Sequence, residues 1–370
     1  SSPILKNSSV VNNSAGQHGG GIRCWNDSNI KLENVVIANN TAAQFGGGMH
    51  CRNNSNPTLT NVTMTNNTAG DYGGGIYLRS DSNPIIVNSI VWGNTPQNIY
   101  FREGEDVGNI TFSYSDLQGG QDSIVTNDNG TVTWGDGNVD IDPLFVDTAN
   151  GNYHLLASSQ CINGGDPTTF DSDGSRADMG ANPYLNTYSG PTWYISESGN
   201  DATATGASDD PYRSIQAGIN FSSDADSVTV AAGTYVENIN FRGRNIQVVG
   251  VNRETTIIDG DSSASVVTFK NDEDSTAVLS GFTIQNGHAA SGGGVRLVNS
   301  DPTLTNVTIS GNWGEYAGGI YLTGSDPTLT NVIISGNTAN QYGGGIGLYD
   351  NSDPILTNVT ISGNTATEYG

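Results

Sequence analysis

The sequence predicts an all-β fold, a parallel β-helix, and three observations carry that prediction. The first is a repeat: Ser1, Ser28, Ser55 and Ser82 open successive copies of one pattern, a period of 28 − 1 = 27 residues. Self-similarity at a fixed spacing marks a repeat architecture. The second is the apolar pattern within a copy. Leu5, Leu32, Leu59 and Ile86 share one column, Val10, Ile37, Met64 and Val91 a second, and Ile22, Met49 and Ile76 a third. Between them apolar residues alternate with Thr, Ser, Lys or Glu, which is strand periodicity. The third is what separates the runs. Asn-Asn-Thr and Gly-Gly-Gly are turn chemistry, and no helical stretch intervenes between copies. Each repeat then makes one turn of a coil, the coils stack about 4.8 Å apart, and their inward residues form a continuous core.

Composition fits a solenoid, which needs only a narrow apolar stripe: hydrophobic residues are 35% and glycines number 49 among 370 residues. With 13 Lys and Arg against 37 Asp and Glu, the formal net charge is −24. Such a surface repels nucleic acid, anionic membranes and polyuronates, and it favours divalent cations. No apolar run approaches the length of a membrane span, so no membrane insertion is expected. Ser1 already sits inside a repeat, and the start reads as a processed or cropped end.

Along the chain, 1–95 reads as β-helix coils. Asn7, Asn34, Asn61 and Asn88 share one position, and Asn306, Asn331 and Asn358 share it in the later copies; this column is expected to form an internal asparagine ladder at a tight turn. The position before the glycines, His18, Phe45 and Tyr72, reads as a stack of flat rings. His50 falls in an outward column between Arg23 and Tyr77 and is expected to be a solvated surface group. Cys24 and Cys51, 51 − 24 = 27 apart, should stack on adjacent coils. That spacing suits either a disulfide or a pair of buried thiols continued by Leu78.

At 96–190 the repeat is lost, and the segment reads as irregular terminal coils and a cap. Its stretches WGN, SYSDLQGG, DIDPLFVD, GNYHLL, SSQCINGGDP and SRADMGA resemble, over about 90–183, the C-terminal end of secreted bacterial right-handed β-helix repeat proteins, a non-enzymatic branch of the pectate-lyase-like superfold. The stretch 191–236 resembles the beginning of the same family, with WYISESGND as a first strand. DPYRSIQAGIN reads as a short cap helix near 211–220, with Asp210 as N-cap and Pro211 in its first position. Ile215 and Ile219 would face the open end of the core. The remaining part, 237–370, returns to coils and is open at its end.

The family's tail therefore precedes its head, a cyclic shift. Two explanations fit: a window of a longer tandem array, or a protomer with both ends open. Both imply head-to-tail continuation, the Gly370 end against the Ser1 end, so the chain's expected partner is itself.

Chemistry is less legible. Asp166, Asp171, Asp173 and Asp178 cluster around Gly174 as a candidate Ca2+ site, against an Asx-turn cluster with no ion. Asp140, Asp142 and Asp147 supply carboxylates, but the paired-Asp, Gly-His-Gly and Arg-x-Lys signatures of polygalacturonases are absent, and Gly287-His288 is followed by Ala289. No catalytic residue is assigned, and an enzyme is not expected. Among many Asn-x-Ser/Thr sequons, Asn39 and Asn66 lie in the outer turn and are the better glycosylation acceptors. The expectation is an extracellular or cell-surface structural protein, a fibre or sheath subunit or an adhesin whose outer rows of Thr, Asn and Tyr contact glycans. The alternative is a carbohydrate-active β-helix enzyme or glycan-binding module.

Overall fold

The structure, a computed structural model, describes residues 1–104 and 108–369 and divides into two compact units, 1–185 and 186–370. Both are parallel solenoids.

In the first unit, strands Ile4–Val11, Lys31–Ala38, Thr58–Thr65, Ile85–Val87, Gly108–Ser113 and Gly130–Trp134 lie side by side in that order, each paired in parallel with the next. The register is one full repeat, so identical positions face each other: Leu32 pairs with Leu59, which pairs with Ile86, which pairs with Phe112. A second sheet stacks Ile22–Trp25, Met49–Arg52, Ile76–Arg79 and Ile99–Phe101. Between the sheets Leu32, Ile37, Leu59, Met64, Ile76, Ile86 and Phe112 form a core closed to solvent. This is the continuous apolar stripe expected of a stacked repeat.

The glycine triplets make the tight passage between sheets. Gly46 has φ +67°, and a Cβ at Gly47 would lie 2.5 Å from the Thr68 carbonyl oxygen of the next coil. Only glycine lets backbones of neighbouring coils approach this closely.

The segment after the last coils does not simply plug the end of this unit. It also runs along the flank of the coils. Tyr153 packs with Val36, Ala38 and Ala181. The Ala181 N–H donates to Thr63 Oγ1 (2.9 Å), and the Gly180 N–H to the Asn88 carbonyl (2.8 Å). The outward face of the first sheet is thereby partly covered by the chain itself, and Val36 and Thr63 are buried.

The second unit opens with strand Thr192–Ile195, paired with Ser227–Val230, and a helix, α1, Ile215–Phe221. Ile215, Ala217 and Ile219 are buried, and α1 contacts the strands of the first coils, as a cap over the core requires. Its start differs from expectation. Asp210 is not the N-cap: its carboxylate accepts from the Thr205 N–H (2.9 Å). The chain enters α1 at Ser214, after Asp201 has taken the N–H groups of Arg213 and Ser214. The free N–H groups of Ile215 and Gln216 donate instead to the two carboxylate oxygens of Glu237, at 2.8 and 3.0 Å. A residue from a neighbouring coil caps the helix, which local sequence cannot reveal. Burial pushes the Glu237 carboxyl up to about 7.

From there seven strands form one parallel sheet ending at Ile355–Thr357, and six form a second ending at Thr360–Ser362. Leu279, Leu304 and Leu329 stack in one inward column; Ile258, Ile284, Ile309 and Ile334 stack in another.

Candidate interaction surface

Three features leave the core and reach the edges or the outside of the coils: the asparagine ladders, the ring stack and the uncovered edge strands.

Two asparagine ladders run through the coils, and the buried one is not the expected one. Asn7, Asn34, Asn61, Asn88, Asn306, Asn331 and Asn358 all have left-handed backbone, with φ between 48° and 55°. Asn tolerates that region better than other residues with a Cβ. A single left-handed residue turns the strand through a corner, and the side chain is thrown outward. Asn34 Nδ2 does donate to Asn7 Oδ1 (3.0 Å), and Asn331 Nδ2 to Asn306 Oδ1 (3.3 Å), but these pairs are exposed. This column is thus an external ladder. Asn61 and Asn88 are the exceptions: Asn61 is half-buried, its Oδ1 shut from solvent without a hydrogen-bond partner, and the flanking segment buries Asn88, whose Oδ1 accepts from the Asp166 N–H.

The internal ladder is Asn13, Asn40, Asn67, Asn94 and Asn98 in the first unit and Asn312, Asn337 and Asn364 in the second. Each step is double. The Asn40 N–H and Nδ2 both donate to Asn67 Oδ1, at 3.0 and 2.9 Å. Asn67 does the same to Asn94 Oδ1 (3.0 and 2.8 Å), Asn312 to Asn337, and Asn337 to Asn364. The second Nδ2 hydrogen reaches a main-chain carbonyl of the preceding coil, Ile37 for Asn67 and Ile334 for Asn364. In each step the main-chain N–H and one Nδ2 hydrogen point toward the later asparagine, and the other Nδ2 hydrogen toward the preceding coil. A serine row shares this direction: the Ser55 N–H donates to Ser82 Oγ, and the Ser325 N–H to Ser352 Oγ.

The ring stack is present and wider than one column. His18, Phe45 and Tyr72 stack at 5.1 and 6.0 Å. A second row, His50, Tyr77 and Tyr100, interleaves with it: Phe45 lies 4.6 Å from Tyr77, and Tyr72 4.4 Å from Tyr100. His50 is not a solvated group, as only 1% of it is exposed. Its column does face outward, but the first row of rings folds over it. Neither ring nitrogen has a hydrogen-bond partner. Burial, with His18, Arg23, Arg79 and Arg52 nearby, pushes its pKa down to about 3. In the second unit Tyr316, Tyr342 and Tyr369 repeat the stack at 6.0 and 5.4 Å.

Other sequence-derived residues fall as follows. Cys24 and Cys51 pair in register on adjacent strands, buried, as thiols. Asn39 and Asn66 are exposed, with Asn39 Nδ2 donating to the Tyr153 hydroxyl (2.9 Å). The four aspartates of the candidate Ca2+ site do not converge. Asp166 accepts from Thr168 and Asp173 from Ser175, both in local turns; Asp171 accepts from the Asp178 N–H; Asp178 accepts from the Asn163 and Tyr184 N–H groups, both at 2.7 Å. Burial pushes Asp178 up to about 8. Among the described residues no group of three or more His, Cys, Asp or Glu side chains is arranged to hold a metal ion. Asp140, Asp142 and Asp147 likewise accept from nearby N–H groups, of Gly119, Leu144 and Asn150. Sequence reading missed Asp116, buried beneath the flanking segment. One oxygen accepts from the Ile141 N–H (3.2 Å), the other from the Cys161 thiol (3.5 Å), and burial pushes it up to about 8.

The edge strands complete the picture. On the last coil Leu356 is 45% and Ile361 50% exposed, although the aligned Leu329 and Ile334 are closed to solvent. On the first coil Ile4 is 58% exposed, and Leu5 and Val10 are half-buried where Leu32 and Ile37 are fully buried. Gly370 lies outside the described residues.

Comparison with curated proteins and with solved structures gave no match. A family model described as the right-handed beta helix region matches residues 1–142 and 217–370, well over half the chain. With the repeat, the parallel register and the stacked core in agreement, the chain belongs to the right-handed β-helix family.

Proposed function

We propose that this protein is an extracellular structural β-helix, a subunit of a fibre, sheath or surface adhesin that continues head to tail by β-helix stacking. What supports this reading most is that the polar and aromatic rows run from coil to coil: the Asn40, Asn67 and Asn94 amides are hydrogen-bonded one to the next, and His18, Phe45 and Tyr72 stack along the same direction. An architecture in which each coil contacts only its neighbours is one that extends by adding coils. Contact between two different edges does not close on itself, and it propagates into a filament.

Sedimentation velocity on the purified chain across a concentration series, followed by negative-stain microscopy, tests this. The expected result is concentration-dependent growth into unbranched filaments. A chain that stays monomeric at high micromolar concentration, in low and in physiological salt, would refute it.

A further inference from the structure

Resting on the adhesin side of that reading, we infer that the outward face of the second sheet in the first unit binds a polysaccharide carrying sulfate esters, with Arg23, Arg52 and Arg79 as the groups that hold the sulfates.

The chain has 13 Lys and Arg against 37 Asp and Glu. Arg23, Arg52, Arg79 and Arg102 nevertheless all lie on, or directly after, the strands Ile22–Trp25, Met49–Arg52, Ile76–Arg79 and Ile99–Phe101, and those strands contain no Asp or Glu. Strand parity sets their direction. Cys24, Cys51 and Leu78 point into the core, so Arg23 and the column beyond the cysteines point out. In that column Trp25 pairs in register with Arg52, and Arg52 with Arg79. Arg102 follows Phe101, the partner of Leu78. Cations directly opposite each other on neighbouring strands are destabilising. Coil stacking does not demand them: the aligned column of the second unit reads Val298, Thr323 and Tyr349.

Two further observations mark the face as positive and ordered. The pKa values of His18 and His50 are pushed down by burial first and then by Arg23, Arg79 and Arg52, with no carboxylate acting the other way. The guanidinium carbons of Arg23 and Arg52 lie 4.6 and 5.4 Å from the centre of the Trp25 ring, so one indole holds both cations in place. Arg52 gives its Nε hydrogen to Asn53 Oδ1 (3.1 Å), which fixes the plane of its fork. The nearest acid along the first of these strands, Asp27, sits beyond it in a left-handed turn and accepts from Asn54 Nδ2 (2.6 Å).

The spacing selects the ligand. Forks on neighbouring coils stand about 4.8 Å apart. A sulfate ester has three terminal oxygens and can accept from two such forks at once, whereas a planar carboxylate is satisfied bidentately by one. A column that repeats from coil to coil suits a polymer with repeated anionic groups better than a single ion. Duplex nucleic acid brings one charge per about 1.7 Å, a density that the acidic surface around this face opposes. At physiological ionic strength the screening length is about 8 Å, so acids on the other faces of the coil act weakly on a sulfate held here.

The test compares polymers on one backbone: dextran sulfate, carboxymethyl dextran of equal charge density and unmodified dextran, with duplex DNA as a second kind of polyanion. Binding of each to the full chain is measured by calorimetry at physiological ionic strength. Dextran sulfate is expected to bind about tenfold or more tightly than carboxymethyl dextran or DNA, and unmodified dextran not at all. Arg23→Gln and Arg52→Gln should each weaken dextran sulfate binding about tenfold, the scale of one charge-assisted pair lost. Lys270→Gln removes an exposed cation of the second unit and should leave binding unchanged. Circular dichroism and thermal midpoints establish that the variants fold; if one arginine variant does not, the other decides. No binding, equal affinity for every polyanion, or arginine variants that bind like Lys270→Gln would overturn the site. A chain that binds dextran sulfate as expected but never forms filaments would instead overturn the assembly in the proposed function and leave this site standing.

Discussion

Asn40 and Asn67 stand one coil apart in the closed interior, and two donors of the first converge on a single carbonyl oxygen of the second, at 3.0 and 2.9 Å. The pair meets a requirement that any stacked coil faces. A turn between strands leaves main-chain groups with no ladder partner, and in the interior no water replaces one. The side-chain amide, with both donor and acceptor, fills the gap in each coil and is filled by the next.

Replacing Asn67 by Ala orphans the Asn40 donors and the Ile37 carbonyl at once. The expected loss is about 3 kcal/mol, the scale of buried unpaired groups. Asn34→Gly is the contrasting case. Its position is exposed and left-handed, glycine adopts that backbone freely, and the expected change is within about 0.5 kcal/mol. Urea unfolding midpoints of the two variants should separate clearly.

His50 is a neutral ring locked between rings, and its pKa falls from 6.5 to about 3. The unfolded chain therefore binds a proton that the folded chain refuses. Stability is complete above the unfolded value and declines as pH falls from about 6.5 toward about 3, by roughly 2 kcal/mol between pH 7.5 and 5. His50→Phe keeps the stack and removes the titration. Its stability should match wild type near neutral pH within about 1 kcal/mol and exceed it at pH 5, as read by denaturant unfolding at both values.

Asp116 behaves in the opposite sense. Burial raises its pKa from 3.8 to about 8, so the folded protein holds a proton that the unfolded chain gives up. Its contribution is most favourable below the unfolded value and is lost as pH rises through that window. Asp116→Asn keeps an oxygen for the Ile141 N–H without the charge. Relative to wild type it should gain stability from pH 4 to pH 8, on the order of a few kcal/mol. A parallel pair of pH-dependent unfolding curves checks this.

Leu329 stands in the inward column between Leu304 and Leu356 and is closed to solvent. Leu329→Ala should cost about 2–5 kcal/mol, and Leu329→Ile, which keeps the volume, less than about 1.5 kcal/mol. Thermal midpoints of the two variants make the comparison.

The coil architecture was legible because its signal repeats: the columns of Leu5, Val10 and Ile22 recur at the repeat spacing, and the register follows from them. The faces were harder. Alternation tells inside from outside only along an unbroken strand, and left-handed residues such as Asn7, Asn12, Asn26 and Asp27 break that parity at several places in each coil. From sequence the Asn7 column therefore reads as internal, and nothing but the fold marks the equally periodic Asn13 column as the buried one. His50 was correctly read as facing outward, but an outward residue is buried once another row of rings lies over it. The start of α1 escaped because its cap, Glu237, arrives from another coil. The flanking segment carries no periodicity, so neither its course beside Val36 and Thr63 nor the burial of Asp116 was visible before folding.

Fibre diffraction from aligned assemblies of the full chain tests the central claim most directly. If coils of one copy continue the coils of the next, strands lie across the filament and a sharp meridional reflection appears at about 4.8 Å, along the filament axis. A meridional pattern without that spacing, or the same spacing on the equator from filaments joined side to side, would contradict it.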